Sequence, residues 1–202
     1  MAKLNVVRGH ELLDVPLAKL RQRFAYKALQ QIQSRKSILD IGCGNFPFFL
    51  INADFPEKFG LEKDISTEAM EIARKHNINL ASYNIESGIP LPFKEDSFDA
   101  ITMIAVVEHI EPSRLVFLFE EVKRVLKPGG LFVITTPAHY TGGLLQILAF
   151  LRLASSEEIK DHKASYSLKG IARQLETAGF RKDNMQLGYF EMFLNSWATA
   201  TK

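Results

Sequence analysis

The stretch Ser37-Ile38-Leu39-Asp40-Ile41-Gly42-Cys43-Gly44-Asn45-Phe46-Pro47 constrains the fold more than any other part of the chain. Ser37 to Ile41 is largely apolar, Asp40 apart, which is the pattern of a short strand covered on both faces. Gly42 and Gly44 carry no Cβ, so the backbone can turn tightly and let a ligand lie against it. Pro47 suits the first turn of a helix, where its missing N–H would have had no partner. A strand, a glycine turn and a helix N-terminus together make a ready site for a nucleotide-like ligand.

The residues around the glycines narrow the ligand. A dinucleotide fingerprint has a third glycine where this chain has Pro47. Asp40 stands directly before the glycines, where a carboxylate would repel a pyrophosphate; beside a cationic or neutral ligand it is harmless or useful. Both points disfavour a nicotinamide oxidoreductase. The phrase Asp40-Ile41-Gly42-Cys43-Gly44 resembles the first motif of class I S-adenosylmethionine-dependent methyltransferases.

Other phrases extend this resemblance. Leu91-Pro92-Phe93, an acidic turn and Ser97-Phe98-Asp99 look like the third and fourth motifs of the same family, in the type 11 methyltransferase domain group. Arg124-Val125-Leu126-Lys127-Pro128-Gly129-Gly130 is the most family-specific run, and physically a helix stop followed by a reversal. The resemblance implies an α/β doubly wound, Rossmann-like, mostly parallel sheet of seven strands with the last antiparallel. It covers about residues 37 to 179 and extends to the final strands.

Periodicity fits that outline. Residues 1–36 read as an N-terminal helical extension or cap. Leu17, Leu20, Phe24, Ala28, Leu29 and Ile32 recur at helical spacing, with Lys19, Arg21, Arg23 and Lys27 between them. This helix is expected to pack on the sheet edge; a cap over the cleft, with Arg21 or Arg23 meeting an acidic group, is the alternative. Residues 37–202 form the domain proper. Within it Phe59 to Glu62, Ile78 to Tyr83, Phe98 to Ile104 and Leu131 to Pro137 read as strands. Ser66 or Thr67 caps a helix with Ala69, Met70, Ile72 and Ala73 inward, and Ser113 to Leu126 is a second helix. Residues 138–166 break the pattern as an insertion. Its apolar run from Tyr140 to Leu153, behind Gly142-Gly143, reads either as a lid on the acceptor side or as a core helix. Ser167 caps a further helix that Gly179 stops, and the remainder fits a closing hairpin containing Trp197.

Site residues follow from position. Glu62 ends the second strand about 20 residues past Asp40, where such proteins place the carboxylate that accepts from ribose hydroxyls. Asp64 is its rival and is preferred less. Asn84 closes the third strand, where the family usually has Asp for the adenine amino group; its carbonyl can accept from the same donor, and a plain turn role is the alternative. Ile85 would meet the adenine edge. The implied cofactor set is Asp40, Gly42, Cys43, Gly44, Glu62, Lys63, Asn84, Ile85 and Ala105, and the cofactor is S-adenosylmethionine. Phe46 replaces the family's last glycine, so its ring either turns away or shapes the pocket. Candidate catalytic residues are His109, then Glu108, both just after the fourth strand. His139 and His162, with Tyr140 and Tyr166, flank the insertion as a second set.

Composition bounds the rest. The chain has 202 residues, 47% of them apolar and 24% charged, enough for one domain with a sizeable core. A net charge of +2 and the lack of a long Lys/Arg run give no clear sign of nucleic-acid binding. The single cysteine, Cys43, excludes an internal disulfide and a Cys-rich zinc site, and no metal is expected. No secretory signal or transmembrane segment is evident, so a cytoplasmic location is expected, and the oligomeric state stays open. The expected activity is methyl transfer to a small-molecule, lipid-quinone or sugar acceptor, at oxygen by preference. A non-catalytic S-adenosylmethionine-binding regulatory or partner subunit is the alternative.

Overall fold

The structure is a computed structural model that describes residues 14–138, 166–190 and 194–202. Helix α1 (Asp14–Leu29) leads into a seven-stranded sheet. Its elements are β1 (Ser37–Ile41), α2 (Phe48–Asn52), β2 (Glu57–Glu62), α3 (Thr67–Lys75), β3 (Ile78–Ser82), β4 (Phe98–Ile104), α4 (Pro112–Val125), β5 (Leu126–Pro137), α5 (Leu168–Thr177), β6 (Met185–Phe190) and β7 (Asn195–Thr201). The strand order is β3-β2-β1-β4-β5-β7-β6. All pairings among the first five strands are parallel, and β7 runs antiparallel to both β5 and β6. The expected mostly parallel, doubly wound sheet is thus present, with β7 the antiparallel strand.

The apolar runs form strands because helices cover both faces. Every residue of β1 is buried, as is all of β4 before Ile104. Helices α2 and α3 cover β1 to β3 on one face, and α4 and α5 cover β4, β5 and β7 on the other. This winding leaves two half-faces bare. Helix α1 fills the first: Ala25, Ala28 and Leu29 pack with Ala100, Leu131 and Val133. The connection between β3 and β4 fills the second, where Leu91 and Phe93 join Phe59 and Phe98. Helix α1 therefore lies against β4 and β5, in the middle of the sheet and not at its edge. Leu20 is 41% exposed rather than inward. Met70 of α3 is likewise exposed, at 42%, while Ala69 and Ala73 face the core.

The amino-terminal edge of the sheet is tied by polar groups. Asp99 Oδ2 accepts from the Ser37 and Lys36 backbone N–H groups, from Ser37 Oγ and from Lys127 Nζ at 2.9 Å. Burial pushes this carboxyl up, but these donors outweigh it and hold it well below the usual carboxylate range. Arg124 clasps Glu121 at 2.6 Å and donates to the carbonyls of Leu91 and Phe93, while Glu121 accepts from the Leu91 N–H. The most family-specific phrases in the sequence are thereby scaffold. Strand β5 also begins earlier than expected, at Leu126, with Gly129 in the left-handed region inside the reversal.

Candidate functional site

At the carboxyl edge the strands β1 to β4 open into one cleft. Its walls are Gly42, Leu61, Glu62, Lys63, Tyr83, Asn84, Ile85, Glu86 and His109. Each comes from the end of a strand or the turn after it, the place where open α/β sheets bind ligands.

The glycine turn is held from below. Gly42 has φ +74, and a Cβ there would stand 2.6 Å from Val106 Cγ2, so backbone conformation and space both require glycine. Gly44 has φ +71 but meets almost nothing, which leaves the space above the turn open to a ligand. The Gly44 N–H donates to Glu62 Oε2 at 2.8 Å, and the Lys63 N–H donates to Oε1 at 2.9 Å. The Glu62 carboxylate is thereby fixed over the turn with lone pairs to spare. Asn45 Oδ1 accepts from the Ser66 N–H and ties the turn to the start of α3, where Ser66 is the cap.

Asp40 lies beneath the turn and is 3% exposed. Thr102 Oγ1 donates to its Oδ1 at 2.6 Å. Burial pushes its carboxyl up to about 7; the Thr102 hydrogen bond opposes this and the Glu62 charge adds to it. Cys43 points its sulfur into the packing over Gly60, and burial raises its thiol well above the ordinary value. Neither side chain lines the cleft.

The other expected residues divide in the same way. Glu62, Lys63, Asn84, Ile85 and His109 come together on the cleft wall, and Asp64 stays outside it, exposed. Asn84 Oδ1 accepts from the Glu86 N–H, which is the turn role, and a second lone pair remains on that oxygen. Ala105 follows β4 with φ +56, and its N–H donates to the Thr135 carbonyl. Phe46 is half-buried and stacks on Phe48, ring centroids 6.1 Å apart, and is not among the cleft walls. Glu108 is buried away from the cleft, against Thr136. Arg21 meets the amide of Asn195, not an acidic group, and Arg23 is exposed. His139, His162 and the run from Tyr140 to Leu153 lie outside the described residues; Tyr166 is described, and its hydroxyl donates to the Ile110 carbonyl.

Sequence reasoning missed Glu86 as a cleft wall, and with it the pair Leu61 and Tyr83. Both read simply as strand residues, and only the turn after β3 brings Tyr83 over the end of β2, where its N–H donates to the Glu62 carbonyl.

Residues 39–134 match the family model described as "Methyltransferase domain". This is a class I S-adenosylmethionine-dependent methyltransferase domain. An uncharacterised protein of Methanocaldococcus jannaschii is 33% identical over 149 residues, covering 71% of this chain and 63% of that one. The tRNA (carboxymethyluridine(34)-5-O)-methyltransferase of Arabidopsis thaliana is 33% identical over 108 residues, covering 53% of this chain and 25% of its own. The methyltransferase domain here therefore spans between a quarter and about two thirds of these two relatives. A solved S-adenosylmethionine-dependent methyltransferase from Mesorhizobium loti superposes with a TM-score of 0.68 at 18% identity, covering 90% of this chain and 98% of that one. At that identity the shared property is the fold.

The cofactor of this methyltransferase family is S-adenosylmethionine, and the cleft fits it. The Glu62 carboxylate can accept from a vicinal diol. Leu61, Tyr83 and Ile85 offer apolar surface to a flat base, and the bare face of Gly44 admits a ligand chain against the backbone. Among the described residues no helix is long and apolar enough to cross a membrane.

Proposed function

We propose that the chain binds S-adenosylmethionine in this cleft and catalyses methyl transfer to an oxygen of a small-molecule, lipid-quinone or sugar acceptor. The observation that carries the reading is the Glu62 carboxylate, fixed over Gly44 by two backbone donors on the wall of the cleft. The cofactor supplies a methyl group already activated on a sulfonium. The protein's task is then to align the acceptor and keep water out. Glu62 holds the ribose, Asn84 and Ile85 the base edge, and Asp40, Gly42, Cys43, Gly44, Lys63 and Ala105 shape the turn and rim. His109, on the cleft wall, accepts the hydroxyl proton as the acceptor oxygen gains the methyl.

An unplugged cleft supports an enzyme over a regulatory binding subunit, because Phe46 is stacked on Phe48 and is not among the cleft walls. A second reading places the acceptor on tRNA, as the name of the Arabidopsis thaliana relative suggests for that protein. The experiment is calorimetry with S-adenosylmethionine and S-adenosylhomocysteine, followed by transfer of a labelled methyl to small-molecule and tRNA fractions. Glu62→Ala is expected to weaken binding by about 1.5–3 kcal/mol. Wild-type affinity in that variant would refute the placement, and label entering only the tRNA fraction would select the second reading.

A further inference from the structure

Glu108 sits in the short turn just past β4 and is 3% exposed. Its one hydrogen bond among the described residues comes from Thr136 Oγ1, which donates to Oε2 at 2.9 Å. No described lysine, arginine or histidine forms an ion pair with it. A carboxylate offers about four lone-pair sites, and a buried one is costly unless donors or an opposite charge surround it. This one is under-supplied.

A second observation lies beside it. Thr136 stands directly opposite Ser196 across the β5–β7 ladder. Directly opposed residues share a face of the sheet, with Cβ atoms about 5 Å apart. Ser196 is fully buried, and its Oγ has no hydrogen-bond partner. A carboxylate with a single described donor and a hydroxyl without a partner therefore stand at the end of the same sheet face, at the carboxyl edge where open α/β sheets bind their ligands. That face continues inward through Ile134 and Ala198, so the polar groups end an apolar wall.

We infer that Glu108, Thr136 and Ser196 form the polar floor of the acceptor pocket, and that the acceptor presents a hydroxyl or amine donor to it. The inference rests on the proposed methyltransferase reading and deepens it. Glu108 takes the hydrogen bond from the acceptor, and Ser196 Oγ, free to rotate, gives or takes a second. The negative floor admits neutral polyols, phenols and amines and turns carboxylates away. Glu108 is therefore an anchor for the acceptor, while proton removal stays with His109 on the cleft wall.

The test uses the full chain saturated with S-adenosylhomocysteine and three probes, ethanolamine, catechol and acetate, followed by saturation-transfer NMR. Ethanolamine and catechol are expected to bind in the millimolar range, and acetate at least tenfold more weakly. Glu108→Gln keeps an acceptor oxygen for Thr136 but removes the charge, and is expected to cut ethanolamine affinity about tenfold. Ser196→Ala is expected to weaken both donor probes. Both variants should keep S-adenosylhomocysteine affinity within twofold and melt at or above the wild-type temperature. The inference is overturned if the probes bind wild type and Glu108→Gln alike. It is overturned equally if no probe binds because ordered water alone fills the gap, or if Glu108→Gln lowers melting temperature and cofactor affinity together. Failure of S-adenosylhomocysteine to bind the wild type is a separate result, read before any probe is added, and defeats the cofactor reading and this inference with it.

Discussion

Two buried aspartates show how environment sets the part that a residue plays. Asp99 has donors on every side, and its carboxyl is held low. Its contribution to stability is present above the ordinary carboxylate range and is lost as pH falls below about 4. Asp99→Ala would strand several donors and cost about 3 kcal/mol in urea unfolding at neutral pH, with cofactor affinity unchanged because the change lies at the far edge of the sheet. Asp40 is the opposite case. Its folded value of about 7 lies above the unfolded 3.8, so the folded state holds the extra proton between these limits. Stability from this group is complete below about pH 4 and is lost as pH rises toward 7, by at most about 1.4 kcal/mol per pH unit. Asp40→Asn keeps an acceptor for Thr102 and is expected to melt higher than wild type at pH 7, the gap closing at pH 4; a gap independent of pH would refute the assignment. Gly42→Ala would place a Cβ against Val106 in a left-handed backbone and cost about 2 kcal/mol or more by the same unfolding measurement.

At the scale of elements, local pattern and long-range seat separate. The strands were legible because a run buried on both faces, such as Ile38-Leu39 or Ile101-Thr102-Met103, reports its own surroundings. The seat of α1 was not. Its spacing shows that one face is buried but not against which strands; that is decided by where the right-handed crossovers leave the sheet uncovered. The direction of Phe46 was illegible for a similar reason, since the choice depends on Phe48 offering a ring to stack on. Of the candidate site, Glu62 and the glycine turn could be read from spacing. The burial of Glu108 against Thr136 could not, because that contact joins two elements brought together only by β-pairing. Phe24 clamps α1 to the last two strands through Phe190, at 5.2 Å, and Trp197, at 4.8 Å. Phe24→Ala is expected to cost about 2–3 kcal/mol and to speed amide exchange in α1 well before that in β1 and β4. Uniform acceleration across the domain would mean that α1 is not a separate unit.

Across the whole molecule, scaffold and chemistry occupy opposite edges of one sheet. Asp99, Lys127, Glu121 and Arg124 bind the amino edge, and the cleft and the Glu108 floor lie at the carboxyl edge. S-adenosylhomocysteine at a hundred times its dissociation constant should add about 2.7 kcal/mol of stability. Arg124→Ala is expected to lower the melting temperature while leaving that increment intact; loss of the increment would show that the two edges are coupled. The strand order carries a consequence for synthesis. Strand β7 is the last of the seven to leave the ribosome, yet its place is interior, between β5 and β6. Until it arrives, the long hydrophobic β5 is an open edge able to pair with another nascent chain, so the domain depends on rapid late closure or on chaperone cover while it is being made.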